Sequence, residues 1–489
     1  MRRERWTAIA IALAIVAMRS AIFLLRPETY FDSDQAIVGL MAKHLAEGRA
    51  FPVFLYGQTY MLGVEAWLAA PLFAIAGVSG TALKAPLLLM NAAIAILLLR
   101  GFERDMGLRP ALALAAALPF LLPSAGLSAV FMDASGGSLE PLLYVLLLWA
   151  TRDRPFLCGA VFGIGFLNRE FTLYGLVSLA CLAWADGRLL TAGGLRRFGT
   201  IAAIAAVIWL SVQGLKYASS ASGPATTVAD TFTSSNNLAE LAARTCISPV
   251  KAIGGAGRLF TIHWPAILGT APYPLTAFSI ESRVTQGMTG TSFIPALLMA
   301  ISIGGIAMRR RSTAAGASPR FAQYLILTGL LSIAGYLFGR CGQVTFLLMR
   351  YELLSVLGIA GLLAWFLRSR PSRAWVAAWS LALAAWMAIV AIPHARFIAE
   401  SIADPEIPAK RELIQALDAA GIRYGTADYW LAYDIDFVTN ERMIFAATSP
   451  QRILIYNRIV EDHAGEAVRL SRRPCDGGLQ LIPGVFQCR

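Results

Sequence analysis

The sequence places carboxylates and arginines where so apolar a chain holds them at greatest cost. Asp32 and Asp34 stand two apart in YFDSDQ, just after the first long apolar run. Glu140 opens another such run after MDASGGS, and Asn168-Arg169-Glu170 breaks an otherwise continuous apolar stretch from 156 to 185. Arg350-Tyr351 opens a late run, while Arg19, Lys84, Lys216 and Arg340 lie inside or at the ends of others. An ionisable side chain at membrane depth is costly, so each of these is by default a functional candidate. Each also has a plainer reading. Asp34 precedes QAIVGLMAKHLAEG, whose apolar residues recur at helical spacing up to Gly48, so a helix N-cap explains it, with Lys43 and His44 complementing the helix C-terminus. Asp32 is then its hydrogen-bonding or ligand neighbour, or only a loop residue. Glu140 suits the first turn of a helix, the Asn168 break suits a tight turn, and Arg350-Tyr351 suits an interfacial anchor. His263 and Trp264 read as interfacial packing.

The elements that must position these residues are membrane helices. With 489 residues, 57% of them hydrophobic and 15% charged, the chain is too apolar for a soluble domain of any size. Apolar runs fall at 6–25, 81–99, 110–123, 139–150, 156–169, 171–185, 200–216, 292–308, 321–338, 351–367 and 374–392, with an ambiguous one at 61–77. Between them lie six basic clusters: Arg2, Arg3 and Arg5; Arg100, Arg104 and Arg109; Arg152 and Arg154; Arg188, Arg196 and Arg197; Arg309 to Arg311 with Arg320; and Arg368, Arg370 and Arg373. The positive-inside rule puts all six on the cytoplasmic face, which requires an even number of spans between one and the next. The run 61–77 is therefore expected to stay on the outer face as an interfacial helix. The predicted fold is mainly α, a polytopic membrane helical bundle of about 11 spans with the N-terminus in and the C-terminus out. The arginine clusters account for the whole net charge of +12, so the basicity is topological and nucleic acid is excluded as a partner. On this topology the costly ionisable residues all lie at the outer ends of their spans, which suits chemistry at one leaflet better than a path through the membrane.

Two regions follow, a membrane domain at 1–392 and an outer domain at 393–489. The membrane domain has a first outer loop at 26–80 and a second large one at 217–291. The tail changes composition. PEIPAKRELIQALDAAG reads as an amphipathic helix stopped by Gly421, and a strand follows near Tyr424. YWLAYDIDFVTNERMIFA alternates as strands do, and PQRILIYNRIVED reads as a helix, so a small α/β domain is expected. Cys158 and Cys181 fall in apolar runs, whereas Cys246, Cys341, Cys475 and Cys488 fall in polar ones and are free to pair in an oxidising compartment, Cys475 with Cys488 as a staple. The absence of any Cys-x-x-Cys or His at ligand spacing argues against zinc and iron–sulfur sites. The N-terminal run has no small-x-small cleavage site and reads as a retained anchor.

Taken in order, the first span, the outer Asp-containing stretch, the interfacial helix, the Gly136-Gly137-x-x-Glu140 opening of a span and the late Arg350-Tyr351 resemble the polytopic class C glycosyltransferases. Within that class the chain looks most like the protein O-mannosyltransferase and aminoarabinose transferase branch and its bacterial relatives, over most of the membrane region. The family's acidic Asp-Glu-Ala motif in the first outer loop is matched by Asp34-Gln35-Ala36, with Asp32 forming an Asp-x-Asp variant. Gln35 stands where many relatives have Glu. The late Arg-Tyr motif is matched by Arg350-Tyr351, and the basic residue after the fifth span by Arg169. The resemblance implies transfer of a sugar from a polyprenyl-phosphate donor to an acceptor hydroxyl on a lipid, glycan or protein, with inversion. It implies that Asp34 or Asp32 is the general base, that Arg169 and Arg350 hold the leaving phosphate, and that Glu140 orients the acceptor or a metal. Gln58 and Tyr60 would line the sugar pocket, with Glu170 and Tyr351 also contacting substrate. No cofactor is required, although a divalent metal on Asp32, Asp34 and Glu140 is compatible with the motif. The expected location is a bacterial cell membrane, with the site periplasmic or extracytoplasmic. A transporter or lipid flippase is the main rival, and it predicts broken helices paired in two matching halves and polar groups spread through the membrane depth. A non-catalytic scaffold or receptor leaves the one-sided charges unexplained.

Overall fold

The structure, a computed structural model, describes residues 2–58, 61–221, 248–270, 289–310, 319–339, 346–403 and 409–488. Tyr60, Arg340, Cys246 and Cys341 lie outside the described residues, as does most of the loop 217–291. Among the described residues, seven helices are long and apolar enough to cross a membrane: Arg3–Leu25, Gly80–Arg104, Ala192–Leu215, Gly290–Met308, Arg320–Gly339, Met349–Arg368 and Arg373–Ala403. The chain is a mainly helical, polytopic membrane protein. The other four expected spans are helices too, at Pro110–Leu121, Glu140–Thr151, Pro155–Asn168 and Thr172–Ala185, and so is the ambiguous run, at Val64–Ala76. These five have 12 to 14 residues. At 1.5 Å per residue they reach about 18–21 Å, short of a hydrocarbon core of about 30 Å.

Small residues let the long helices approach. Gly329 and Gly358 face each other across the Arg320–Gly339 and Leu354–Arg368 pair so closely that a Cβ on Gly329 would lie 3.1 Å from the Gly358 Cα. The first helix packs on Gly80–Arg104 and on Pro110–Leu121.

The C-terminal part is a five-stranded sheet in the order β2-β1-β3-β5-β4, with β1 at Tyr424–Ala427, β2 at Ile444–Ala447, β3 at Val468–Ser471, β4 at Leu479–Ile482 and β5 at Val485–Cys488. The expected helix is present at Ala409–Ala419 and ends before Gly421, whose φ is +68°; the second is at Ile455–Asp462. Cys475 and Cys488 are disulfide-bonded. One expectation is corrected. Residues Tyr429–Val438 form a helix rather than a strand, and only Ile444–Ala447 of that stretch is extended. The reason is topological: β1 and β2 are parallel, which demands a crossover, and the Asp428 side chain starts it by accepting from Trp430 N at 2.8 Å.

This crossover helix seats the sheet on the membrane region by packing against the helix Ser33–Ala46. Phe437 lies where a Cβ on Gly39 would be, 2.4 Å from it, and stacks on Phe31 with centroids 5.3 Å apart. Glu441 closes the contact. It pairs with Lys43 Nζ at 2.5 Å and His44 Nε2 at 3.0 Å, accepts from Tyr456 Oη at 2.8 Å, and is paired with Arg49. Burial works against its charge, but the hydrogen bonds from His44, Arg49 and Lys43 outweigh it and hold the carboxyl well below the usual range. Glu441→Gln removes the carboxylate shared by the buried Lys43 and His44, leaving Lys43 only the more exposed Glu47, and is expected to cost about 3 kcal/mol. Because the folded pKa is depressed, the stabilisation is complete above about pH 4.3, the ordinary Glu value, and is lost as the pH falls further. The gap in melting temperature between parent and variant is therefore expected at neutral pH and to narrow below about pH 4.

Candidate active site

The stretch 131–140, FMDASGGSLE, is buried along its whole length, yet it forms no helix or strand before Glu140. A buried irregular backbone must find its hydrogen bonds inside the protein. Its first amides turn back onto the helix Ala125–Val130, and the rest of its bonds are found on four other elements and on Glu140. Asn91 Nδ2 donates to Phe131 O at 2.9 Å, and Arg19, which donates to Asn91 Oδ1 at 2.6 Å, lies over the Phe131 ring. Ala134 N donates to Gln35 Oε1 at 3.4 Å. Gly136 N and Gly137 N donate to the Glu65 carboxyl at 2.7 and 3.3 Å, and Gly136 O accepts from Arg169 Nε at 2.8 Å. Leu139 N donates to Glu140 Oε2 at 3.2 Å. Gly137 has φ +118°, and a Cβ there would lie 2.3 Å from Arg169 Nε, so both backbone shape and space require glycine.

Asp133 is the charged centre of the loop. It accepts from Ser135 Oγ at 2.9 Å. Its carboxyl is raised to about 6: burial, with Asp34 adding to it, outweighs the downward pull of the Ser135 hydroxyl, Lys84 and Arg350. Arg350 feels Asp34 and Asp133 in turn, and its buried Nε has no hydrogen-bond partner among the described residues.

The two aspartates of the first loop have different tasks. The reading of Asp34 as the N-cap is corrected: the helix starts at Ser33, and Asp32 is the cap, its Oδ1 accepting from Gln35 N at 3.1 Å. Burial, then the charges of Asp133 and Asp34, push the Asp32 carboxyl well above the usual range, against the pull of the Gln35 N–H. Asp34, one position into the first turn, turns to the C-terminal sheet domain, where Tyr429 Oη donates to its Oδ1 at 2.5 Å. The segment carrying both is gripped from two sides. Lys84 Nζ donates to Pro27 O at 3.3 Å and Tyr30 O at 2.5 Å. Lys410 Nζ donates to Phe31 O at 2.5 Å and pairs with Asp434, and both lysines lie near the Phe31 ring.

Glu140 opens its helix as expected, but its partner is Glu65. Burial and then Glu140 push the Glu65 carboxyl well above its ordinary value, against the pull of the Gly136 N–H. Tyr351 packs edge-on to Phe171 at 5.1 Å, which sets the Arg350 turn beside the Arg169 turn. Glu170 is half-buried in that turn and joins no side-chain hydrogen bond among the described residues. Gln58 is half-buried in a turn closed by its N–H on Leu55 O at 2.9 Å, and its Oε1 is enclosed without a partner among the described residues. Among the described residues no three His, Cys, Asp or Glu side chains form a metal-holding group, the set Asp32, Asp34 and Glu140 included.

Of the buried charges singled out from sequence, Arg19, Lys84, Glu140, Arg169 and Arg350 all reach the 131–140 loop or its Asp133. Asp133 and Glu65 were missed there, although Asp133 lies in the same MDASGGS that precedes Glu140. Tyr429 and Lys410 carried no local signal.

Among solved structures the chain is similar to ArnT from Cupriavidus metallidurans, crystallised bound to undecaprenyl phosphate, at 12% identity and a TM-score of 0.39, with 95% of this chain and 92% of that one covered. No protein-family model matches the chain, and no curated protein does.

Gly137→Ala is expected to strain the loop by about 1–3 kcal/mol and to displace Arg169. Gly107 is a control, with φ +66° and open space within 4 Å of where its Cβ would lie. In thermal melts of the detergent-solubilised protein Gly137→Ala should lower the midpoint by several degrees more than Gly107→Ala.

Proposed function

We propose that the protein is an integral membrane glycosyltransferase that moves a sugar from a polyprenyl-phosphate donor to an acceptor hydroxyl, with inversion, at the extracytoplasmic face of a bacterial cell membrane. The observation that carries this reading is the meeting of Asp34, Asp133, Arg169 and Arg350 around one buried loop: a half-buried carboxylate within electrostatic reach of a guanidinium whose Nε is unpartnered among the described residues.

A hydroxyl is a poor nucleophile, and a carboxylate placed beside it takes its proton as attack proceeds. Asp34 fills that role. Asp32 is spent on the helix cap and is disfavoured as an ion by burial and by Asp133. The acceptor oxygen bonds to the anomeric carbon while the bond from that carbon to the phosphate oxygen breaks, the proton goes to Asp34, and the electron pair leaves with the polyprenyl phosphate. Charge growing on that phosphate is met by guanidinium groups, whose planar fork suits a phosphate better than an ammonium does. Arg350 is within electrostatic reach of the base, and Arg169 is bound to the loop at Gly136 O. Asp133 adds a second negative charge within electrostatic reach of Arg350. Gln58 offers an enclosed acceptor to a sugar hydroxyl, and Glu140 with Glu65 fixes the loop rather than the substrate. The step as written uses no cofactor. We prefer this reading to a transporter or flippase because the buried charges converge on one loop instead of lining a path.

Transfer of a labelled sugar from a polyprenyl-phosphate donor tests the assignment. Asp34→Asn should lower the rate by about 10²–10⁴-fold. Asp32→Asn should keep most of it, because Asn caps a helix about as well as Asp. Parental activity in both variants overturns the reading.

A further inference from the structure

Tyr429 opens the crossover helix of the C-terminal domain and is buried, 395 positions from the carboxylate it touches. Its hydroxyl donates to Asp34 Oδ1 at 2.5 Å and lies within electrostatic reach of Arg452. Arg452 Nη1 in turn donates to Gly57 O at 2.6 Å, in the turn that presents Gln58. The fit at that contact is close: Gly57 has φ +69°, and a Cβ there would lie 2.3 Å from Arg452 Cδ. Two contacts from the C-terminal domain therefore converge here, Tyr429 on Asp34 and Arg452 on the loop of Gln58, with Arg452 within electrostatic reach of the Tyr429 hydroxyl.

We propose that Tyr429 is a positioning residue for the transfer, with Arg452 behind it, so that the C-terminal domain completes the active site instead of only covering it. This rests on the reading of Asp34 as the base. A carboxylate rotates over a broad torsional well about its last bond. A charge-assisted hydrogen bond to one oxygen fixes that rotation and leaves the second oxygen, Oδ2, directed to the acceptor. The Arg452 link holds the sugar-facing turn in register with the same carboxylate, so the two halves of the reaction are aligned by one domain.

The test uses the full-length protein and the same transfer assay. Tyr429→Phe, which removes only the hydroxyl, should lower kcat by about ten- to a hundredfold, the range for losing a hydrogen bond to a charged group, with KM for the donor unchanged. Arg452→Gln, which removes the guanidinium from the Gly57 contact, should lower kcat in the same direction. A Thr439→Val control removes a buried hydroxyl at the other end of the crossover helix, which donates to Ile435 O at 2.7 Å and accepts from Met443 N at 3.3 Å, and it should lower the melting temperature while sparing kcat. Incorporation of 3-fluorotyrosine at position 429, which keeps the hydroxyl, should restore kcat. Parental kcat in both Tyr429→Phe and Arg452→Gln, or losses confined to KM, overturns the inference while Asp34→Asn remains inactive. An active Asp34→Asn instead overturns the reading beneath it.

Discussion

An irregular backbone inside a membrane protein is tolerated only where protein atoms satisfy it. The 131–140 loop is such a backbone, and the rest of the site depends on it. Its amides and carbonyls recruit Asn91, Gln35, Glu65 and Arg169, each from a different element, and these bonds fix where the surrounding helices can sit. Two consecutive glycines at positive φ make the path sterically accessible, and the second leaves room for Arg169. Having drawn those elements together, the loop places one carboxylate, Asp133, among Lys84, Arg350 and Asp34. The charges cluster because the loop brings their elements into contact.

The second constraint comes from the far end of the chain. The residues at 27–34 are held by Lys84 from a membrane helix and by Lys410, Arg411 and Tyr429 from the C-terminal domain, while Glu441 locks the helix that follows. Held from both sides, the turn at 27–32 and the first turn of the helix that carries Asp34 have little freedom to shift. That rigidity matters for a reaction in which a carboxylate, a hydroxyl and a phosphoryl-bearing carbon must align, because small displacements are costly in rate.

Much of this was legible in the sequence, for identifiable reasons. Each apolar run became a helix because composition and periodicity decide that locally, and Arg169 and Arg350 stood out because a charge at membrane depth is too costly to sit there without a partner or a task. Span length was less legible, since a run of 12 to 14 apolar residues reads the same whether it crosses fully or stops part-way. The exchange of roles between Asp32 and Asp34 turned on a helix starting two residues earlier than its apolar pattern, within the usual uncertainty of a helix end. Residues 429–438 read as strand because aromatic and branched residues favour strands, and only the parallel pairing of β1 with β2, a contact between residues such as Tyr424 and Ile444, makes a helix of them. Tyr429, Lys410 and Glu441 had no local signature, since their partners lie close to 400 residues away.

The most direct measurement is a structure of the protein with a short-chain polyprenyl phosphate bound. The phosphate is predicted to lie against the Arg350 guanidinium, on the Asp34 side of the 131–140 loop, with Arg169 across from it and the prenyl tail leaving toward the membrane helices. A phosphate bound away from that loop, with Arg350 and Asp34 both untouched, would contradict it.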